Sequence, residues 1–224
     1  MLKRRDAPPA DHSPATQDRI LLVEGVEDAR FYECILTHCQ VSNDVEIRFT
    51  QGRTNLAIAS SAILAVSPRV RVLATIQDAR DSAAGTLATI QNALGTAGLP
   101  VPVRSGAISP ATGSVTTAAL VVPEDEPGGL ESVCWTSIQD QLVPALVQRF
   151  LTDLLDHDPA QASVTVEAQA KHLIGTVLAA GVRGGPFPVK PGLRLGEAAE
   201  AHFWNFEHPA FSFLLQFVRA VAAL

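Results

Sequence analysis

Residues 19–28, Arg19-Ile20-Leu21-Leu22-Val23-Glu24-Gly25-Val26-Glu27-Asp28, decide how this chain is read. Four consecutive apolar residues bounded by charge are what a strand buried on both faces requires, as strands in parallel sheets are. The run stops at Glu24-Gly25, after which Phe31, Tyr32, Ile35 and Cys39 recur on one side of a helix predicted over 28–39. A strand, an acidic turn and a helix make the first half of a βαβ unit, and the pattern repeats downstream. Residues 45–49 alternate as a half-buried strand, Gly52 breaks it, and an apolar helix over 55–66 ends before Pro68. A strong strand over 70–76 runs into Gln77-Asp78-Ala79-Arg80-Asp81-Ser82, and a helix over about 84–97 is closed by Gly98 and Pro100. Two more strands are predicted over 101–108 and 116–122. Strands alternating with helices of this length predict an α/β fold with a mostly parallel sheet.

Beyond residue 122 the character changes. Helices are predicted over 138–155 and 164–180, with His157-Asp158-Pro159 as the break, then a Gly- and Pro-rich loop over 181–196 and an apolar helix over 211–224. The first 18 residues hold three prolines and six charges and predict a disordered tail that folding does not need, with one domain from 19 to 224 that turns helical from about 138. Apolar residues at 47% and charged residues at 18% supply a core and exclude global disorder. No uncharged apolar run approaches the about 18 residues of a membrane span, so no membrane partner is expected. The basic start lacks the apolar stretch of a secretory signal, and three cysteines without framework spacing suit a reducing cytoplasm. A net charge of −6 argues against a protein that coats nucleic acid by bulk electrostatics, but leaves room for a local phosphate-handling site.

Acidic residues gather at the carboxyl ends of the predicted strands: Glu24 with Asp28, then Asp78 with Asp81, then Glu124, Asp125, Glu126 and Glu131 around Pro127-Gly128-Gly129. Ligands of open α/β sheets bind in the crevice outside those ends. Carboxylates assembled there repel each other unless a cation lies between them, and Mg²⁺ takes oxygen ligands while leaving room for substrate phosphates. Set against this, Asp and Glu at helix starts are common as caps and dipole partners, so spacing alone leaves the two readings about level. Other candidates are weaker. Cys34 and Cys39 beside His38 lack a second ligand pair for zinc and read as core residues. Gly128-Gly129 and Gly184-Gly185 are not followed by the Lys-Ser/Thr of a phosphate loop. His172, His202 and His208 read as structural, and the aromatic end (Trp204, Phe206, Phe211, Phe213, Phe217) as core.

Leu21-Leu22-Val23-Glu24-Gly25-x-x-Asp28, Gln51-Gly52-Arg53-x-Asn55-Leu56, the Asp78 motif after its apolar strand, and Val122-Pro123-Glu124-Asp125-x-x-Gly128-Gly129-Leu130-Glu131 together resemble the Toprim fold. This catalytic fold is shared by topoisomerases, bacterial primases and OLD-type nucleases. The closer resemblance is to small stand-alone OLD-nuclease-like Toprim proteins of bacteria and archaea, extending through Lys171 and Trp204-Asn205-Phe206-x-His208-Pro209 over about 19–221. The resemblance implies a Toprim-like Rossmannoid domain with C-terminal helices, and a Mg²⁺- or Mn²⁺-dependent nuclease or phosphotransferase acting on DNA or RNA. It makes Glu24 a metal ligand or general base, Asp28 and Asp78 metal ligands, and Asp125 and Glu131 part of a second metal's shell, with Arg53 and Lys171 contacting phosphate. The second acid of the family's Asp-x-Asp is Arg80 here, with Asp81 next door as a substitute ligand. Arg80 implies a weakened one-metal site or none, and hence an alternative: a non-catalytic module binding a nucleotide, a nucleic-acid end or a partner protein in a defence or repair system. The apolar C-terminal helix is expected either in the core or in a homodimer.

Overall fold

The computed structural model describes residues 13–110, 115–157, 165–180 and 192–224. Its centre is a five-stranded sheet in the order β2-β1-β3-β5-β4, built from β1 (Arg19–Val23), β2 (Glu46–Phe49), β3 (Val72–Asp78), β4 (Ile108–Ser109) and β5 (Thr116–Val122). The β2, β1, β3 and β5 strands run parallel, and only β4 is antiparallel, against β5. The expected mostly parallel, Rossmann-like α/β architecture is therefore what the chain forms.

Alternation along the strands sorts side chains onto two faces. Leu21 and Val23 of β1, Ala74 and Ile76 of β3, and Leu120 and Val122 of β5 pack under α1 (Val26–His38), whose Phe31, Tyr32, Ile35 and Leu36 are buried. Ile20, Leu22, Leu73, Ala119 and Val121 face the opposite side and meet Leu56 and Ile63 of α2 (Leu56–Val66) and Ile90 and Leu94 of α3 (Ala83–Thr96). The first face also receives α4 (Leu130–Thr136), α5 (Leu142–His157), α6 (Val166–Ala180), α7 (Leu195–Glu200) and α8 (Ser212–Ala222). In α8, Leu214, Leu215, Phe217, Val218 and Val221 are buried in that core, which resolves the two alternatives for this helix in favour of the core. Phe31, Phe206 and Phe211 stack edge-on or tilted at centroid distances of 5.4–6.2 Å, so the aromatic end is core as well.

Three expectations need correction. Residues 101–107 form no strand: Pro100 and Pro102 lack the N–H a ladder needs, and Val103 is left 83% exposed. Helices α4 and α7 were not foreseen. The segment 13–18 is tied down rather than free. Ala15 is buried and donates its N–H to Ser67 Oγ at 2.7 Å, Arg48 donates to Ser13 O, Thr16 and Gln17 donate to Glu46 Oε2, and Asp18 pairs with Arg71. Polar bonds, with the small apolar contact of Ala15, hold it, and composition does not register them. Residues 1–12 of the predicted tail, and most of the loop expected over 181–196, lie outside the described residues.

Candidate functional site: an acidic hollow at the switch point

Strand order places the site. The chain leaves β1 toward β2 on one side and later returns to β3 on the other, so the carboxyl ends of β1 and β3 flank the point where crossovers diverge. Register brings the acids together. Leu22 pairs with Thr75, so two residues on Glu24 comes level with Gln77, one residue before Asp78. Glu24, Asp28, Tyr32, Ile76, Gln77 and Asp78 line one hollow there.

Each acid is held by local chemistry. Asp28 sits in the first turn of α1, where Oδ2 accepts the Gly25 N–H at 2.8 Å, half of a capping box. Asp78 ends β3, and Oδ1 accepts the Leu130 N–H at 3.0 Å at the start of α4. The Gly129 backbone packs so closely on that carboxyl that a Cβ there would lie 2.9 Å from Asp78 Cγ. Glu131 follows in the first turn of α4. The Gln51-Gly52 turn beyond β2 closes onto the same edge, with the Gly52 N–H donating to Glu24 O at 3.1 Å and Asn55 Nδ2 donating to Thr50 O and Gln51 O.

The caps therefore exist, yet they do not settle the charge. Burial pushes Asp28 up to about 6, with Glu24 and Glu131 adding to the rise against the Gly25 N–H. Burial also raises Asp78 well above the carboxylate range, seconded by Asp28, Glu131 and Glu24. Glu131 is raised by burial as well, while its own backbone N–H, Lys171 and Arg80 pull it down. Glu24 and Glu131 thus both act on Asp28 and on Asp78, and Asp28 acts on Asp78 as well.

Two cations border it. Arg80 Nη2 donates to Glu24 Oε2 at 2.6 Å, with the Glu24 side chain 12% exposed. Lys171, on α6, pairs with Glu167 one turn earlier. Both cations are raised: burial opposes their charge, but Glu24 for Arg80 and Glu167 for Lys171 outweigh it, with Asp78 contributing to each. Glu167 is a residue beside the site that sequence reading missed. It is partly buried beside Lys171 and acts on Arg80 and Glu131, yet no local pattern marks it, because α6 meets the site through its packing on α4.

The remaining candidates stand elsewhere. Asp81 and Asp125 are exposed and do not line the hollow, so Asp81 does not turn inward in place of Arg80. Arg53 opens the 3₁₀ turn Arg53–Asn55 beyond β2, and its side chain lies outside the described residues. Cys34, Cys39 and Cys134 are free, the first two half-buried against the core and the third buried.

Among the described residues, no three His, Cys, Asp or Glu side chains already close around one point as a metal shell. The chemistry of the donor set fits a hard cation nonetheless. It offers the carboxylate oxygens of Glu24, Asp28 and Asp78 beside the Gln77 amide oxygen; among the described residues Asp28 and Asp78 accept only from backbone N–H groups, and Glu24 Oε1 is buried with no hydrogen-bond partner.

Fold and site define a Rossmann-like α/β domain with an acidic hollow at its switch point. The chain belongs to the DUF3226 family (protein of unknown function), whose profile matches residues 18–222. No curated protein and no solved structure matches it. No helix among the described residues is long and apolar enough to cross a membrane.

Proposed function

We propose that the hollow is the site of a Toprim-like, Mg²⁺- or Mn²⁺-dependent nuclease acting on phosphodiester bonds of nucleic acid. The observation that carries this reading is the convergence of Glu24, Asp28 and Asp78 on one hollow at the sheet's switch point, where burial, with Glu24 and Glu131 adding to it, raises the proton affinity of Asp28 and Asp78. Asp28, Asp78 and Glu131 would hold a divalent ion, which when bound supplies charge stabilisation at a phosphoryl oxygen. Arg80 and Lys171 present the positive charge that phosphate oxygens need on a chain whose net charge is −6. Their carboxylate partners, Glu24 and Glu167, hold them in place at the rim. The free thiols support a reducing, cytoplasmic setting.

The test is cleavage of single- and double-stranded oligonucleotides with Mg²⁺ or Mn²⁺, beside the same assay in EDTA. Cleavage should require the ion, and Asp78→Asn should lower it by about 100-fold or more. Absence of cleavage with every substrate and ion, or equal cleavage by Asp78→Asn, overturns the nuclease reading. One observation favours a second reading: the Arg80–Glu24 pair already neutralises one acid, as a non-catalytic module for a nucleotide, a nucleic-acid end or a partner protein would allow. Tight binding of a 5′-phosphorylated oligonucleotide without turnover would select it.

A further inference from the structure

Arg80 is held in an unusual way. Its φ is 56°, in the left-handed region that non-glycine residues adopt at a cost of about 1 kcal/mol. Two backbone hydrogen bonds fix it there, Arg80 N–H to Gly128 O at 2.5 Å and Gly128 N–H to Arg80 O at 2.7 Å. Gly128 belongs to the same turn that brings Leu130 onto Asp78, so the loop at the start of α4 also holds Arg80 where its guanidinium reaches Glu24 at the edge of the hollow.

The contact it makes is incomplete. A guanidinium can grip a carboxylate through two parallel N–H bonds, but here a single Nη2 reaches Glu24 Oε2. Arg80 Nε and Glu24 Oε1 are both buried without a partner. Independently, Gln77 is only 2% exposed, lines the hollow, and has an Oε1 with no partner. Two orphan acceptors and one orphan donor around one hollow point to a ligand that carries both positive charge and acceptor oxygens. The demand for positive charge is also uneven. Arg80 meets it at Glu24 with a direct ion pair, whereas among the described residues Asp28 and Asp78 make hydrogen bonds only to the Gly25 and Leu130 N–H groups and no ion pair.

We propose that Arg80 is a tethered cation that takes the place of a second metal ion beside Glu24, so that the hollow binds one divalent ion at Asp28 and Asp78 while the guanidinium turns its remaining N–H groups to a phosphate oxygen. The inference rests on the cation-site reading above and specifies it: one ion and one guanidinium, rather than two ions. It makes Arg80 a substrate-positioning group instead of a defect in the site.

Mn²⁺ binding, counted by electron paramagnetic resonance and titration calorimetry on the full chain, tests it together with inorganic phosphate binding at saturating Mn²⁺. Wild type should bind one ion. Arg80→Asn keeps a residue that tolerates left-handed backbone but removes the charge, and should admit a second ion or bind the first about tenfold tighter. The same variant should bind phosphate about tenfold more weakly, with Arg80→Lys retaining one ion and losing less phosphate affinity. Wild type binding one ion with Arg80→Asn unchanged in both measurements overturns the role of Arg80 and leaves the cation site standing. Two ions in wild type also overturn it. No Mn²⁺ on wild type or either variant overturns the cation site itself.

Discussion

Asp28→Asn takes one negative charge out of the hollow while keeping a side-chain oxygen for the Gly25 N–H, which Oδ2 now accepts at 2.8 Å. Burial, with Glu24 and Glu131 behind it, raises this carboxyl from 3.8 to about 6. The folded state then binds the proton more tightly than the unfolded state, so stability is full below pH 3.8 and is lost as pH rises through about 6. At about 1.4 kcal/mol per pH unit, the charged carboxylate costs the metal-free protein about 3 kcal/mol above pH 6. Asn is neutral at every pH. The variant should therefore exceed wild type in stability by about 3 kcal/mol at pH 7.5 and by about half that at pH 5, with almost no difference below pH 4. For a domain of this size the neutral-pH gain corresponds to a melting temperature about 6–12 °C higher. Thermal and urea denaturation in EDTA at the three pH values measure it. Excess Mn²⁺ should stabilise wild type more than the variant, because the ion has lost a ligand. A variant no more stable than wild type at pH 7.5, or a gain that persists unchanged into acid, would refute the charge-crowding argument.

Other sites give sharper yes-or-no outcomes. Gly129→Ala would place a Cβ 2.9 Å from Asp78 Cγ and Oδ2, so it should displace that carboxylate and weaken Mn²⁺ binding about tenfold or more in calorimetry; unchanged binding would show that Asp78 is not a ligand. Deleting residues 1–17 removes the N–H donors of Glu46, the Ser13 carbonyl that accepts from Arg48, and the buried Ala15. That should destabilise by about 2–4 kcal/mol in urea titration, since Arg48 is 7% exposed and loses an acceptor; an unchanged midpoint would show that the segment contributes nothing.

The strands that carry the site were legible because burial on both faces leaves a nearly continuous apolar run, unbroken in Ile20–Val23 and interrupted only by Thr75 in Val72–Ile76. Their acidic ends were legible for the same reason: charge begins where the buried sheet ends. Sequence failed where structure depends on partners distant in the chain. The run 101–107 has strand-like valines, but Pro102 within it and Pro100 just before it leave the edge position to the two residues Ile108 and Ser109. The α4 and α7 helices, of 7 and 6 residues, are too short to show periodicity, and α4 exists partly because Asp78 caps it from 52 residues away. Glu167 and Lys171 come beside the site through the packing of α6 on α4, which no local pattern encodes. Arg80 was conspicuous in sequence as a cation among acids. That it pairs with Glu24, while Asp81 stays exposed, follows from a left-handed backbone that sequence does not announce.

The most direct test of the account is a crystal of the full chain grown with Mn²⁺ and measured for anomalous scattering. A single anomalous peak bounded by Asp28 and Asp78 is expected, with Glu131 near it and the Arg80 guanidinium still beside Glu24. A peak confined to other carboxylates such as Asp81 or Asp125, or none at Asp28 and Asp78 at millimolar Mn²⁺, would contradict it.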